Sequence, residues 1–458
     1  VKFVPIQRSR PEDKLNVLLA SGEAPDFIQD YDQNNKNNWY TSKQLMPLDE
    51  LIEKHSVEYK ALMQKYPILR KLGTRDDGKI YEVGSYTGID VNWVFLVRED
   101  WLKKLNLEAP KTTDELFNVA KAFTENDPDN NGKKDTFGMS LGGYFNLNIS
   151  NFMFGVPTSI YSIENENVVY TFKQFEAATA FKKRLYDSSI IDKDFAADTS
   201  GEKAKRDFVN GKLGFYTAQW NDVKSVFEAL KKNVPDAKLV PIALPKSSFG
   251  QFAPAINAPA QTFGMINTKA KDPASIIKYI DFLNKESVVK TLKWGIEGEH
   301  YKLNDKGCPA PIDAEKNKKE VEYNGDYSMV STTVEINGKC DPRLTILDLN
   351  NPVHKEYKDI LDTARNIYID PKTPLPGFFL VSPSLPSELN LILQSVSKMS
   401  DEFTKSIVTP DYSAEMAGQA AKAIWTKAGG TKIEEYLTDY YKKNKANIVN
   451  VTDVYEKK

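Results

Sequence analysis

Apolar positions in the first hundred residues come in short blocks of two periods. The stretches "VKFVPI", "PDFIQD", "KIYEVGSY" and "VNWVFLVRED" read as strands. Between them, "PEDKLNVLLASGE" reads as an amphipathic helix ended by Gly22, and "PLDELIEKHSVEYKALMQKY" as one continuous helix. Asp49 and Glu50 sit near the start of the latter, where acids suit the helix dipole. The polar run "YDQNNKNNWYTSKQ" predicts a loop, with Trp39 exposed in it. Strands alternating with helices through short connections predict an α/β fold with a parallel-type sheet.

The alternation continues. "APKTTDELFNVAKAFTEND" predicts a helix capped by Thr112 or Thr113, followed by the strand "TFGMSL". "FEAATAFKKRLYDSSII" and "EKAKRDFVNG" are helical, and "KLGFYTAQW" is a strand that ends at Trp220. "DPASIIKYIDFLNKESVVKTLKW" is helical, residues 300–380 are rich in turns, and the chain closes in helices. No internal repeat or flexible linker interrupts it. Two α/β lobes give this pattern when the chain crosses between them more than once, with short hinge strands at the crossings.

A chain of 458 residues is long enough for two or three domains. Its net charge of −2 supplies no basic field, which argues against a nucleic-acid partner. No apolar run approaches the roughly 20 residues that span a bilayer. Aromatic residues make up 11%, enough for rich cores or a ring-lined cleft. Cys308 and Cys340 are either two free thiols or one disulfide closing a long loop in an oxidising compartment. The three histidines show no zinc spacing, and no candidate nucleophile sits in a recognisable elbow.

The densest chemistry is "NDPDNNGKKD". With Asp127 as position 1, Asp129 is 3, Asn131 is 5, Gly132 is 6, Lys133 is 7 and Asp135 is 9. An EF-hand loop asks for side-chain oxygens at 1, 3 and 5, glycine at 6, a backbone carbonyl at 7 and a ligand at 9. All are met, and every ligand is a hard oxygen that suits Ca2+. The bidentate Glu of position 12 is missing, since Gly138 stands there, and Thr136 or a neighbour is expected to complete the shell. The expected role is structural, with Kd in the ~10⁻⁴–10⁻³ M range of extracellular modules. The alternative is an Asx-rich surface turn.

Four stretches in fixed order, "FLVREDWLKKLNLEAPKTTDELFNVAKAF", "NDPDNNGKKDTFG", "FVNGKLGFYTAQWND" and "KWGIEGEHY", resemble the large oligosaccharide-binding members of the extracellular solute-binding proteins of ABC importers. The group most similar is that of Gram-positive lipoproteins related to alginate-oligosaccharide-binding proteins. The resemblance runs from Val1 to about Asn447. It implies a two-lobed, periplasmic-binding-protein-like α/β fold with a hinge and an interlobe ligand cleft, and a Ca2+ ion in the acidic loop. Lobe 1 is expected over 1–95 and 262–375, and lobe 2 over 96–261 and 376–458, with the EF-hand-like loop at 127–136. Similar proteins often carry Glu where Thr136 stands, and they begin with a strand and helix ahead of "VKFVPI". The expected protein is a monomeric, extracellular, cell-surface lipoprotein that performs no chemistry and delivers an oligosaccharide to permease subunits. The alternatives are a secreted calcium-stabilised glycan-active enzyme and a glycan adhesin.

A sugar cleft needs rings against C–H faces and amides or carboxylates for hydroxyls. Trp220 is the first choice, because similar proteins place a stacking Trp at that strand end. Tyr31, Asp32 and Gln33 follow the strand "PDFI", and ligands gather beyond strand carboxyl ends. Asn92 and Trp93 lie on the presumed first hinge strand, where Trp93 is equally a core residue. Tyr144, Phe145 and Asn146 follow the strand after the acidic loop. Phe378 and Phe379 are expected to pack at a late lobe crossing. Glu297 and His300 are read as structural rather than catalytic.

Overall fold

The computed structural model describes residues 2–6, 11–157, 160–305, 307–332, 340, 347, 350–373, 375–377, 383, 385–445, 448, 451 and 455. Phe378 and Phe379 lie outside the described residues. The chain forms two compact units, Val1–Gly88 with Ala258–Leu347 and Ile89–Asn257 with Asp348–Lys458. It passes between them at 88/89, 257/258 and 347/348, where the expected crossings are 95/96, 261/262 and 375/376.

The first unit is organised by a three-stranded sheet. Strand Ala260–Ile266 lies between Phe27–Gln29 and Val83–Tyr86, and both pairings are antiparallel. The central strand thus arrives from a distant part of the chain. Gly264 is required there, because a Cβ would sit 2.5 Å from the Phe27 ring. Leu48, Tyr59, Val83, Ile266 and Ile280 are buried together, each apolar side chain contributing about 1.5–3 kcal/mol relative to exposure.

The expected single helix after Pro47 is two, Asp49–His55 and Glu58–Lys65. The break is made by Asp281 on helix Pro273–Asn284. Its carboxylate accepts from the Ser56 hydroxyl (2.7 Å) and from the backbone N–H groups of Val57 (2.5 Å), Glu58 (3.1 Å) and Tyr59 (3.1 Å). A fixed carboxylate satisfies the orphan donors at the start of the second helix.

The polar run after Tyr31 is a helix, Gln33–Thr41, not a loop. Asp32 caps it, and two of its side chains turn inward. Trp39 is buried and donates from Nε1 to Asn16 Oδ1, and Lys36 is buried on Glu82 and Thr262. Lys2–Ile6 form no strand. Cys308 and Cys340 form a disulfide, buried beside Trp294 and Tyr301.

The second unit is built on strand Trp93–Arg98, buried along its whole length between Phe215–Gln219 and Leu239–Pro241. Both neighbours are antiparallel, as are all pairings between the named strands, so among the described residues parallel pairing is confined to isolated bridges and the expected parallel-type sheet is not seen. Phe95, Trp101, Phe123 and Phe215 fill the core behind it, and Trp425, Tyr170 and Phe403 fill a second one. "TFGMSL" forms no named strand but runs parallel beside the start of Phe215–Gln219, with a bridge from Phe137 to Leu213 and with Gly214 N donating to Phe137 O (3.0 Å) and Phe215 N to Gly138 O (2.8 Å). The turn-rich region contains a 17-residue helix, Pro352–Tyr368, pinned to the sheet where the Tyr368 hydroxyl donates to Ile242 O (2.8 Å) and accepts from Phe95 N (3.2 Å).

Candidate ligand-binding site and cation loop

Strand register builds the first face, in the second unit. Trp93 pairs with Gln219 across the sheet, and Asn92 precedes Trp93. Trp220 does not end a strand. It opens helix Trp220–Asn233, and its N–H donates to Asn92 O (2.6 Å). Its ring is 5% exposed and stacks on Tyr357 with centroids 5.3 Å apart. Gln219 Nε2 donates to Asn92 Oδ1 (3.3 Å), and both amides are part-exposed.

Tyr144, Phe145 and Asn146 lie on helix Gly143–Met153 rather than after a strand. Asn146 is buried, and both ends of its amide are used: Oδ1 accepts from Thr217 N (2.9 Å) and Nδ2 donates to Gly142 O (3.1 Å). It holds the helix to the sheet and, at 5% exposure, offers almost no surface to a ligand. Phe145 and Phe152 pack on Trp93, which is buried. Tyr144 also meets the Trp93 ring but is 60% exposed. An exposed ring backed by buried Trp93, whose chain neighbour Asn92 and cross-strand partner Gln219 carry part-exposed amides, can take a C–H face and hydroxyls. Of these residues, the sequence reading missed Gln219. Its signal was its place at the strand end directly before Trp220.

On the first unit, Tyr31 is 46% exposed with its ring edge-on to Phe263 at 4.9 Å. Asp32 accepts from Asn34 N (2.8 Å) and Asn35 N (3.0 Å), so its carboxylate serves as the helix cap. Gln33 Nε2 donates to Asn37 Oδ1 (2.9 Å). Beneath them, burial works to raise the Glu82 carboxyl, but Lys36 and Arg75 outweigh it and hold the group below the usual carboxylate range.

The acidic loop brings Asp127, Asp129, Asn131 and Asp135 together. Asp127, Asn130 and Gly132 all have positive φ, which curls the backbone around the cluster. The N–H groups of Asn131 (3.1 Å) and Gly132 (3.0 Å) converge on the Asp127 carboxylate. Asn131 Nδ2 reaches Asp129 (2.8 Å) and Asp135 (3.1 Å), and Lys133 N donates to Asn131 Oδ1 (2.8 Å). A hydrogen bond between the two carboxyls holds Asp127 below its ordinary range, while burial and that same bond push Asp129 up. Crowded carboxylates and hard oxygens of this kind are stabilised in their ionised form by a hard dication, so the donor set fits one. Thr136 does not complete the set. It is 2% exposed and its hydroxyl donates to Phe123 O (2.9 Å), at the end of the preceding helix.

Glu299, His300 and Glu320 also converge. Here the bonding speaks against a metal. His300 Nδ1 accepts from Ile296 N (3.0 Å), which leaves the ring proton on Nε2, donated to Glu320 Oε2 at 3.2 Å. A metal would need that nitrogen bare. Lys316 already neutralises the acids, 3.1 Å from Glu299 and 3.9 Å from Glu320.

The family model for bacterial extracellular solute-binding proteins matches residues 1–295. Lipoprotein LipO of Bacillus subtilis (strain 168) is 26% identical over 97% of this chain and 87% of its own length. The polygalacturonan/rhamnogalacturonan-binding protein YtcQ of the same organism is 26% identical over 95% of this chain and 84% of its own. Among solved structures, alginate-binding protein AlgQ2 without calcium ion superposes with a TM-score of 0.66 at 21% identity, covering 94% of this chain and 89% of that one. The last likeness bears on the fold.

Proposed function

Starting from a chain that belongs to the bacterial extracellular solute-binding protein family, we propose that it captures an oligosaccharide outside the cell and hands it to the permease subunits of an ABC importer. The observation that carries the sugar reading is the exposed Tyr144 ring standing on buried Trp93, whose chain neighbour Asn92 and cross-strand partner Gln219 carry part-exposed amides. The sugar-binding name of YtcQ supports it. Trp220 serves this face as a buttress, fixing Asn92 through its backbone N–H. Tyr31 and Gln33 present a ring and an amide on the first unit. Sugar binding shifts the population toward the form that the importer reads. Attachment to the cell surface as a lipoprotein and a monomeric state complete the proposal.

The acidic loop holds Ca2+ through Asp127, Asp129, Asn131, Asp135 and the Lys133 carbonyl. The ion fixes the end of helix Thr113–Glu125 and takes no part in sugar recognition.

The test is a thermal-shift screen against an oligosaccharide array in calcium buffer, with each sugar recovered afterwards. A rise in Tm with the sugar unaltered supports capture, since a ligand that binds only the folded state stabilises it by mass action. Shorter products would identify a glycan-active enzyme instead. Absence of any shift overturns the sugar reading.

A further inference from the structure

We propose that the ligand is an uncharged oligosaccharide and that the binding faces discriminate against uronates. The proposal rests on the oligosaccharide reading above and narrows it. It also departs from the relative YtcQ, since the polygalacturonan in that protein's name is a polyuronate.

A carboxylate brought out of water onto a protein needs a guanidinium or an ammonium, and without one its desolvation goes uncompensated. The stretches that build the two faces are "DYDQNNKNNWYT" (30–41), "DVNW" (90–93), "GGYFNLNISN" (142–151) and "FYTAQWND" (215–222). Together they hold eleven Asn and Gln side chains, four carboxylates and a single cation, Lys36.

That cation is spent. Lys36 is 2% exposed, and its Nζ donates to Glu82 Oε2 (3.0 Å), Thr262 O (2.9 Å) and Thr262 Oγ1 (3.2 Å). An ammonium has three protons, so none is left for a ligand. Two neighbouring guanidiniums are committed too. Arg75 bonds Glu82 and Asn37 Oδ1, and Arg365 forms a two-pronged pair with Asp90 (3.1 and 2.8 Å). Meanwhile Asp32 and Asp222 are exposed. An incoming uronate meets like charge and amides. A neutral sugar meets rings for its C–H faces and amides that both donate to and accept from its hydroxyls.

The experiment is a calorimetric comparison on the intact, calcium-loaded chain. One arm is an array of neutral oligosaccharides, and the other is length-matched oligogalacturonates and oligomannuronates. At least one neutral sugar is expected to bind, with every uronate weaker by about 100-fold or more, the equivalent of about 2.7 kcal/mol. Affinity for the neutral sugar should change less than about twofold between about 20 and 300 mM NaCl, since no ion pair is made for salt to screen. A uronate that binds as tightly as the best neutral sugar, or a neutral-sugar affinity that falls steeply with salt, overturns the proposal and leaves oligosaccharide capture standing. Failure of both arms overturns capture itself, and this inference with it.

Discussion

Tyr144 stands edge-on to Trp93, ring centroids 5.6 Å apart and planes at 88°, and only Trp93 is buried. The two rings therefore divide the work: Trp93 belongs to the core, and Tyr144 is free to meet a ligand. Tyr144→Ala should weaken sugar binding by about 10-fold or more and lower stability by no more than about 1 kcal/mol, because little buried area is lost. Trp93→Ala should cost about 3–5 kcal/mol of stability as a large-to-small core change. Calorimetry and urea melts on both variants separate the roles. Equal stability losses would mean that Tyr144 is a packing residue.

Chelation should lower Tm by a few degrees. At a Ca2+ concentration 10 to 100 times Kd, the bound ion contributes about 1.4–2.7 kcal/mol. Asp127→Ala combined with Asp129→Ala should abolish the response to both EDTA and added calcium. The pH sign follows from Asp129, whose carboxyl is raised by burial and by its bond to Asp127. A bound cation needs that group ionised, so affinity should rise with pH through the raised carboxyl range and fall below it. Melts that ignore EDTA would reduce "DPDNNGKKD" to an Asx-rich turn.

Lys182 carries a second pH signature, at higher pH. It is buried in the second unit with its Nζ on Asn151 Oδ1 (2.7 Å), and burial pushes its pKa down to about 7. The unfolded chain binds this proton up to about pH 10.5 and the folded one only to about 7, so stability contributed at this site rises across that interval. At pH 6 both states are charged and the full desolvation cost, on the order of a few kcal/mol, is present. Lys182→Met should therefore raise Tm most at pH 6, with a gain that shrinks toward pH 9. A gain independent of pH would show that the ammonium is not desolvated.

The Cys308–Cys340 bridge closes a separation of 32 residues. By loop-closure entropy this is worth about 3–4 kcal/mol to the first unit. Cys308→Ser with Cys340→Ser should show a loss of that size in urea melts, while the Lys182 titration of the other unit stays unchanged. A loss well under 1 kcal/mol would place the bridge's value elsewhere, for instance in resistance to proteolysis.

What the sequence disclosed and what it hid follow from the range of the interactions involved. Helix Thr113–Glu125 was legible because its signals are local: an apolar stripe, and a capping box in which Thr112 accepts from Glu115 N (3.2 Å) while Glu115 accepts from Thr112 N (3.3 Å). The clustering of Asp127, Asp129, Asn131 and Asp135 was legible because the four are nearly contiguous. Helix Gln33–Thr41 was hidden because Lys36 is buried by Glu82 and Thr262, 46 and 226 positions away. Sheet direction was hidden for the same reason, since the strands that pair are distant in the chain. Asn146 shows the limit for sites: an Asn beside two aromatic residues reads as a ligand contact, and only the atoms at each end of its amide show that it is structural.

The four hydrogen bonds on the Asp281 carboxylate give the first unit a schedule as well as a shape. Whether the chain leaves a ribosome or a translocation pore, Ser56 emerges 225 positions before the acid that interrupts its helix. Until that acid arrives, the hydroxyl of Ser56 and the N–H groups of Val57, Glu58 and Tyr59 lack the acceptor that the finished unit gives them. The native break between the two helices is therefore a long-range feature, completed only when helix Pro273–Asn284 is in place.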